Sequence, residues 1–130
     1  MGKGYRQGRL GEEIKRIISQ MLLSGIKDPR LSGMISISAV DVTSDGSYAT
    51  CYVSIFGSGQ NGDATDEEKD QVLAGFRSVK GLIKREIGHQ VKLRHIPELI
   101  FKIDKSMEYG RHIDDIINSL DIKHDDEEEQ

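Results

Sequence analysis

Residues 35–56 read ISISAVDVTSDGSYATCYVSIF, and this stretch decides the fold. The Asp45-Gly46 pair lies between two runs rich in β-branched and aromatic residues, which is a strong signal for a short hairpin turn. One face of the second run is apolar and consists of Ala49, Cys51, Val53 and Ile55. In the first run the apolar phase shifts near Ala39 and Val40, which indicates a β-bulge or a two-sided strand. The stretch therefore predicts an antiparallel hairpin.

An amphipathic helix is predicted before this hairpin. Over about residues 5–24, apolar residues recur at helical spacing with charged residues between them. The apolar positions are Leu10, Ile14, Ile17, Ile18, Met21 and Leu22. Gly25 follows as a stop signal. The connector IKDPRLSG, residues 26–33, then leads into the first strand.

A longer helical pattern follows the hairpin. Thr65 and Glu68 have the spacing of a capping box, which predicts the start of a helix. The apolar period then continues as far as Gly88, through Val72, Leu73, Phe76, Val79, Ile83 and Ile87. Gly81 lies inside this run, and a glycine in a helix interior costs roughly 1 kcal/mol relative to alanine. We therefore expect a break near Lys80 and Gly81 that divides the run into two helices.

A third strand and a last helix complete the predicted elements. The strand is LIFKID, residues 99–104, and Ser106 can cap a helix whose buried stripe would be Ile113, Ile116, Ile117 and Leu120. The element order is then αββααβα. Because the third strand is reached through a helical crossover, it can lie parallel to a neighbour. The predicted fold class is α+β, a three-stranded mixed sheet with helices packed on it.

Charge is segregated along the chain. The formal net charge is -4, yet residues 77–96 carry six cations and one anion. Residues 121–130 carry six acids and one base, and a segment of this composition is predicted to be disordered. We therefore expect one domain over residues 1–120 and an acidic tail over residues 121–130. Such segregation indicates a charged partner more directly than the net charge does.

The basic segment favours a nucleic-acid partner. Cations along a helix and the stretch after it can contact phosphates, and a helix N-terminus after the expected break would add free N–H groups. The candidate RNA-binding residues are Arg6, Arg9, Arg77, Lys80, Lys84, Arg85, Lys92, Arg94 and His95. Few aromatic residues lie in the basic segments, which favours recognition of the RNA backbone and its shape. The alternative is a merely solvated helix surface, although such a surface normally carries both signs of charge.

No constellation of residues indicates an enzyme. Cys51 is the only thiol, and a small residue on the apolar face of a strand is ordinarily buried. The four histidines fit no zinc spacing. Gly57, Gly59 and Gly62 are not followed by the Lys-Ser or Lys-Thr of a phosphate-binding loop. We therefore expect no catalysis, no metal and no cofactor.

The compartment can also be predicted. A single cysteine allows no intramolecular disulfide, which fits a cytoplasmic protein. No segment is apolar enough to serve as a secretion signal or to span a bilayer. We therefore expect a cytoplasmic protein.

Three blocks of the sequence resemble one family. They are YRQGRLGEEIKRIISQMLLSGIKDPRL (5–31), VDVTSDGSYATCYVSIFG (40–57) and GLIKREIGHQVKLRHIPELIFKIDKSMEYGRHIDDII (81–117). They contain an arginine pair, an Asp-Pro-Arg motif and a Leu-Arg-x-x-Pro-Glu-Leu-x-Phe run. In this order and spacing the chain resembles the ribosome-binding factor A family of bacterial small-subunit maturation factors.

The resemblance implies both a fold and a function. Members of the family have a type II KH-like domain in which an Ala-x-Gly helix interruption replaces the usual Gly-x-x-Gly loop. The matching positions here are Val79, Lys80 and Gly81, with valine in place of the alanine. Members bind the free 30S subunit near the 5′ part of its 16S rRNA and assist late folding and processing without catalysis. The expected protein is a monomer whose partners are the small subunit and 16S rRNA, with no membrane and no small-molecule substrate.

Two other functions are compatible with the residues. A general KH-like RNA-binding module with a different RNA target has the same fold and charge pattern, and sedimentation with free small subunits distinguishes it. A protein–protein adaptor could use Ile113, Ile116 and Ile117 as a docking stripe, although this spacing is more typical of core packing.

A further hypothesis is that the acidic tail discourages non-specific RNA binding.

Overall fold

The computed structural model describes residues 7–59, 62–106 and 116–117. Along the chain, α1 (Gln7–Ser24) is followed by a short 3-10 helix (Pro29–Leu31) and by strands β1 (Met34–Val42) and β2 (Tyr48–Phe56). Helix α2 (Asp66–Gln90) and strand β3 (Glu98–Ile103) come next. The described helices and strands therefore form the predicted α+β class.

The predicted hairpin is confirmed. Strands β1 and β2 pair antiparallel, and the turn between them contains Gly46 at φ +75°. The Asp45 carboxylate accepts hydrogen bonds from the backbone N–H of Ser47 at 3.0 Å and the hydroxyl of Thr43 at 2.8 Å. A glycine tolerates this left-handed conformation without strain, and the aspartate side chain satisfies the turn.

The predicted irregularity in β1 is a β-bulge. The register shifts between Ile37, which pairs with Val53, and Ala39, which pairs with Tyr52. Ser38 is therefore the extra residue, and its hydroxyl donates to the carboxylate of Asp104 just after β3. The bulge restores the apolar phase of β1 to the side of the sheet that carries Cys51.

Strand β3 pairs parallel with β2, so the sheet has the order β1-β2-β3 and is mixed, as predicted. A parallel pair requires a crossover connection, and α2 supplies it. Both helices bury their apolar stripes against one face of the sheet. Members of this core from the helices are Leu10, Ile14, Ile17, Ile18, Val72, Phe76, Ile83 and Ile87, and those from β2 are Ala49, Cys51 and Val53.

The expected break at Val79, Lys80 and Gly81 is absent from α2, so that prediction is wrong. The helix runs without interruption over 25 residues, and its first turn has the predicted capping box of Thr65 and Glu68. A glycine in the helix costs about 1 kcal/mol. A break would cost more, because it would expose buried apolar side chains of α2. Because Phe76, Ile83 and Ile87 are fully buried on either side of Gly81, and each such side chain gains about 1.5–3 kcal/mol on burial, continuity prevails.

The predicted last helix lies mostly outside the described residues. Ile116 and Ile117 are described, and they are 45% and 47% exposed. The expectation that these two side chains are buried is therefore wrong. Ile113, Leu120 and the acidic tail, residues 121–130, fall outside the described ranges.

The Asp-Pro-Arg connector is fixed by its own side chains. The Asp28 carboxylate accepts from the Arg30 backbone N–H at 3.0 Å and from its guanidinium at 2.9 and 2.7 Å. These bonds cap the 3-10 helix and place Leu31, which is buried, against Gly75 of α2. The hydrogen bonds from the Arg30 side chain, with that from its backbone N–H, lower the pKa of Asp28 to about 2.

Replacing Gly81 with alanine should stabilise the protein. An added Cβ would meet nothing within 4 Å, and alanine is favoured over glycine in a helix interior by about 0.5–1 kcal/mol. Urea unfolding measures the gain. The control is Gly11→Ala, whose Cβ would overlap the carbonyl oxygen of Val40 and should destabilise by about 1–3 kcal/mol. A destabilising Gly81→Ala would contradict a continuous α2.

The stability that Asp28 contributes should depend on pH. Its folded pKa of about 2 lies below the usual value, so its contribution is present above about pH 4 and is lost as the pH falls towards 2. Asp28→Asn should lower the urea midpoint at pH 7, and the difference from wild type should shrink as the pH is lowered towards 2. Asp41→Asn, at an exposed position in β1, controls for the charge change. A difference that is equal at both pH values would refute this account.

Candidate nucleic-acid interface

A stripe of cations runs along α2 beside its buried side. Arg77, Lys80 and Lys84 follow one another at spacings of three and four residues, and Arg85 lies beside them. At about 100° per residue, the four directions fall within an arc of about 140°. Arg77 and Arg85 are exposed, whereas the side chains of Lys80 and Lys84 are each 34% exposed.

The two lysines of this stripe share one carboxylate. The Nζ atom of Lys80 lies 2.6 Å from Oε2 of Glu98, and the Nζ atom of Lys84 lies 3.0 Å from Oε1 of the same residue. Hydrogen bonds from Lys80 and Lys84, reinforced by their charges, lower the pKa of Glu98. The carboxyl group is therefore ionised at neutral pH, and its pair with the two lysines has a net charge of +1.

The connector between α2 and β3 carries further exposed cations. Its buried residues Val91 and Pro97 anchor the two ends of the connector in the core. The cationic and histidine side chains between them are Lys92, Arg94 and His95. The connector leads directly into Glu98, and Lys92, Arg94 and His95 precede it by six, four and three residues along the chain. We call the seven residues Arg77, Lys80, Lys84, Arg85, Lys92, Arg94 and His95 the α2–β3 basic surface.

The two arginines predicted from the first helix are placed differently. Arg6 lies outside the described residues, and Arg9 is exposed near the start of α1. Gly11 packs against the Val40 carbonyl, so this end of α1 lies over the end of β1 nearest the hairpin turn. The start of β3 is at the same end of the sheet, because the Glu98 N–H donates to the Ser47 carbonyl at 2.8 Å. Arg9 therefore lies at the sheet end that carries the basic surface, on the side of β1.

The continuous α2 removes one expected feature of the interface. Since no helix begins at Gly81, no free backbone N–H groups are available there to bind a phosphate. Any phosphate contact at this position must come from lysine and arginine side chains.

Two residues of this region are not among those predicted from the sequence. Glu98 could have been identified from the sequence, because it directly follows the basic segment and begins a strand that is reached by a crossover. Tyr48 is 50% exposed and is the β2 partner of Glu98, so an exposed aromatic residue is next to Glu98 in the sheet. Its position could be foreseen only with the β2–β3 register.

A cavity of about 700 Å³ forms an apolar groove between the end of α1 and the start of β1. Exposed Leu23, Met34 and Phe56 line it, and none of its lining residues is charged. Because phosphate binding requires cations or free N–H groups, this groove is no competitor of the basic surface as a nucleic-acid site.

Other kinds of site find little support in the same ranges. No group of three or more His, Cys, Asp or Glu side chains among the described residues could hold a metal ion. In that part of the chain, no helix combines the length and apolarity that crossing a membrane requires. Cys51 is fully buried, and burial raises the pKa of its thiol to about 12.

Comparison with known proteins identifies relatives over nearly the whole chain. A sequence model of the family "Ribosome-binding factor A" matches residues 6–117. Ribosome-binding factor A of Clostridium novyi (strain NT) is 45% identical over 119 residues, which are 92% of this chain and 93% of that protein.

Solved structures agree with this result. The solution NMR structure of a Thermotoga maritima protein, described as a candidate ribosome binding factor A, is 30% identical with a TM-score of 0.64, covering 82% of this chain and 93% of that one. A homology model of the Thermus thermophilus ribosome binding factor A, fitted into a cryo-EM map of a 30S complex, is 20% identical with a TM-score of 0.56. It covers 76% of this chain and 96% of that one, and at this identity it shows a shared fold.

The buried thiol should be almost inert in the native protein. Because only the thiolate is nucleophilic and a pKa of about 12 suppresses it, alkylation of Cys51 by iodoacetamide at pH 8 should be at least about a hundredfold slower than in urea. Mass spectrometry of timed samples measures both rates. Comparable rates would show that Cys51 is accessible.

Proposed function

The chain belongs to the ribosome-binding factor A family, and on that premise we propose that it binds the free 30S ribosomal subunit and assists late folding and processing of 16S rRNA. The observation that carries this proposal is the family match over residues 6–117. A Thermus thermophilus member has been placed in a map of a complex with the 30S subunit. The target within the subunit is the 5′ region of 16S rRNA, and the protein works in the cytoplasm, where ribosomes are assembled.

The α2–β3 basic surface is the face that we assign to the rRNA. It carries six lysine and arginine side chains, of which Lys80 and Lys84 share Glu98, and contacts of such cations with phosphates release counterions from the RNA. They orient the protein on the RNA without reading bases. Recognition then depends on the arrangement of phosphates in the folded rRNA, which an A-form helix or a junction presents in a fixed geometry.

The proposed role is that of a binding protein, without catalysis. The thiol of the described core is buried and has a raised pKa, so it is unsuited to act as a nucleophile. The basic surface consists of six lysine and arginine side chains and His95, with Glu98 shared by two of the lysines, a set suited to holding phosphates. Binding energy alone can favour one rRNA conformation over another, because a ligand shifts an equilibrium by its difference in affinity for the two states.

Replacing Lys84, Arg85, Lys92 and Arg94 together with alanine should weaken binding to 30S subunits while the protein stays folded. Each lost phosphate contact should flatten the plot of log affinity against log salt by about 0.7–0.9. Titration at several salt concentrations measures both effects, and circular dichroism monitors folding. Unaltered affinity with an unaltered slope would place the RNA surface elsewhere.

A matched control removes the same charge elsewhere. Lys15, Lys27, Lys102 and Lys105 lie outside the basic surface, and replacing all four with alanine should affect 30S binding much less. Sedimentation tests the target. Wild-type protein should travel with free small subunits, and binding to RNA without binding to these subunits would favour a KH-like module with a different RNA target.

A further inference from the structure

One acidic residue contacts two lysines of the basic surface. Glu98 is the partner of both Lys80 and Lys84, and each of its carboxylate oxygens lies within 3.0 Å of one ammonium group. The Glu98 side chain is 43% exposed and the two lysines are 34% exposed. The group is therefore reachable from solvent, and an incoming anion can approach both ammonium groups.

The Glu98 carboxylate occupies the position that a phosphate group bound by both lysines would take. Two non-bridging phosphate oxygens could accept the same two hydrogen bonds that the carboxylate oxygens accept now. A phosphate that takes over these two hydrogen bonds displaces Glu98. Because partly exposed ion pairs contribute little net stability, the exchange is feasible, but an isolated phosphate gains little from it.

The strand itself does not depend on the Glu98 carboxylate. Strand β3 is held by its parallel pairing with β2, and the bond between Glu98 and the Ser47 carbonyl uses the backbone N–H. The side chain is thus free to serve another purpose. Without it, Lys80 and Lys84 would present two uncompensated charges to any RNA.

We propose that Glu98 is a specificity-determining residue of the RNA interface, an internal competitor that occupies Lys80 and Lys84 until the correct RNA displaces it. This inference rests on the proposed function. The correct RNA displaces the carboxylate and offers it a replacement hydrogen-bond donor, such as a ribose 2′-hydroxyl, so the displacement costs that RNA little. An unrelated RNA either leaves Glu98 on the lysines and loses their contacts or displaces it without a replacement donor, so Glu98 lowers non-specific affinity more than specific affinity.

The test is the variant Glu98→Gln, which removes the charge and retains one oxygen acceptor. Affinities for free 30S subunits and for an unrelated RNA of mixed sequence are measured at several salt concentrations. Affinity for the unrelated RNA should rise about fivefold, the effect of one unit charge at about 4 Å in water. Affinity for 30S should rise less, so the specificity ratio falls, and the salt slope for unrelated RNA should steepen by about 0.7–0.9.

Glu86→Gln is the matched control. It makes the same charge change on α2, but Glu86 bonds Gln90 at 2.7 Å and lines a shallow cleft with Ile17 and Gln20 of α1. It should leave the specificity ratio unchanged. If Glu98→Gln leaves the affinity for unrelated RNA unchanged, or alters both affinities as Glu86→Gln does, the inference is wrong.

A double-mutant cycle separates an electrostatic role from a structural one. In a Lys80→Ala, Lys84→Ala background, Glu98→Gln should no longer change the ratio, because the groups it masks are absent. An unchanged effect in that background would overturn the inference. Urea unfolding of each variant monitors folding.

The outcomes also distinguish this inference from the proposed function. If wild-type protein does not bind 30S subunits, the proposed function and this inference fail together. If wild-type protein binds them, the four-alanine variant does not, and Glu98→Gln preserves the ratio, then the proposed function stands and only the inference about Glu98 is rejected.

Discussion

The burial of one side of α2 against the sheet is the constraint on which the rest of the structure depends. Phe76 stacks on Phe101 of β3, with ring centroids 4.8 Å apart and planes 17° from parallel. Ile83 and Ile87 extend the same buried side past Gly81. Since the rotation of a helix is fixed once its apolar side is fixed, this packing also directs Lys80 and Lys84 towards the first residue of β3. Core packing and the position of the charges are thus set by one contact surface.

The electrostatics of the molecule follow from that placement. The first turn of α2 carries Asp66, Glu67 and Glu68, which the helix dipole favours at that end, and Lys80, Lys84 and Arg85 lie in its second half. The polarity of the helix therefore separates the acidic end from the end that meets the connector. In a chain whose net charge is negative, this separation allows a local positive field to face a polyanion while the remainder of the surface does not.

Local rules predict the elements that local chemistry determines. The turn at Asp45 and Gly46, the capping box at Thr65 and the bulge near Ala39 each depend on a few adjacent residues, so the sequence alone suffices. The continuity of α2 does not follow from such rules. The low helix propensity of Gly81 is a local property, whereas the burial that offsets it depends on packing of α2 side chains against β3. The family resemblance carries the same error, since the Val79-Lys80-Gly81 positions match an interruption that α2 does not have.

The candidate site is predictable to a similar extent. The spacing of Arg77, Lys80 and Lys84 is enough by itself to place them on one side of a helix. Their partner does not follow from spacing, because Glu98 is 18 and 14 residues away from the two lysines and meets them only through the crossover geometry. Whether a lysine side chain points to solvent or forms an ion pair depends on the tertiary fold, and the composition of the chain does not reveal it.

The parallel pairing of β2 with β3 has a consequence for the order of assembly. Tyr48 and Glu98 are neighbours in space but are separated by the whole of α2, and contacts between residues so far apart in sequence form late because a long loop must close first. During synthesis the hairpin can form as soon as β2 has emerged, whereas the cations of α2 acquire their final setting only after β3 has joined the sheet. The ion pairs of Lys80 and Lys84 with Glu98 are therefore among the last contacts of the fold to form.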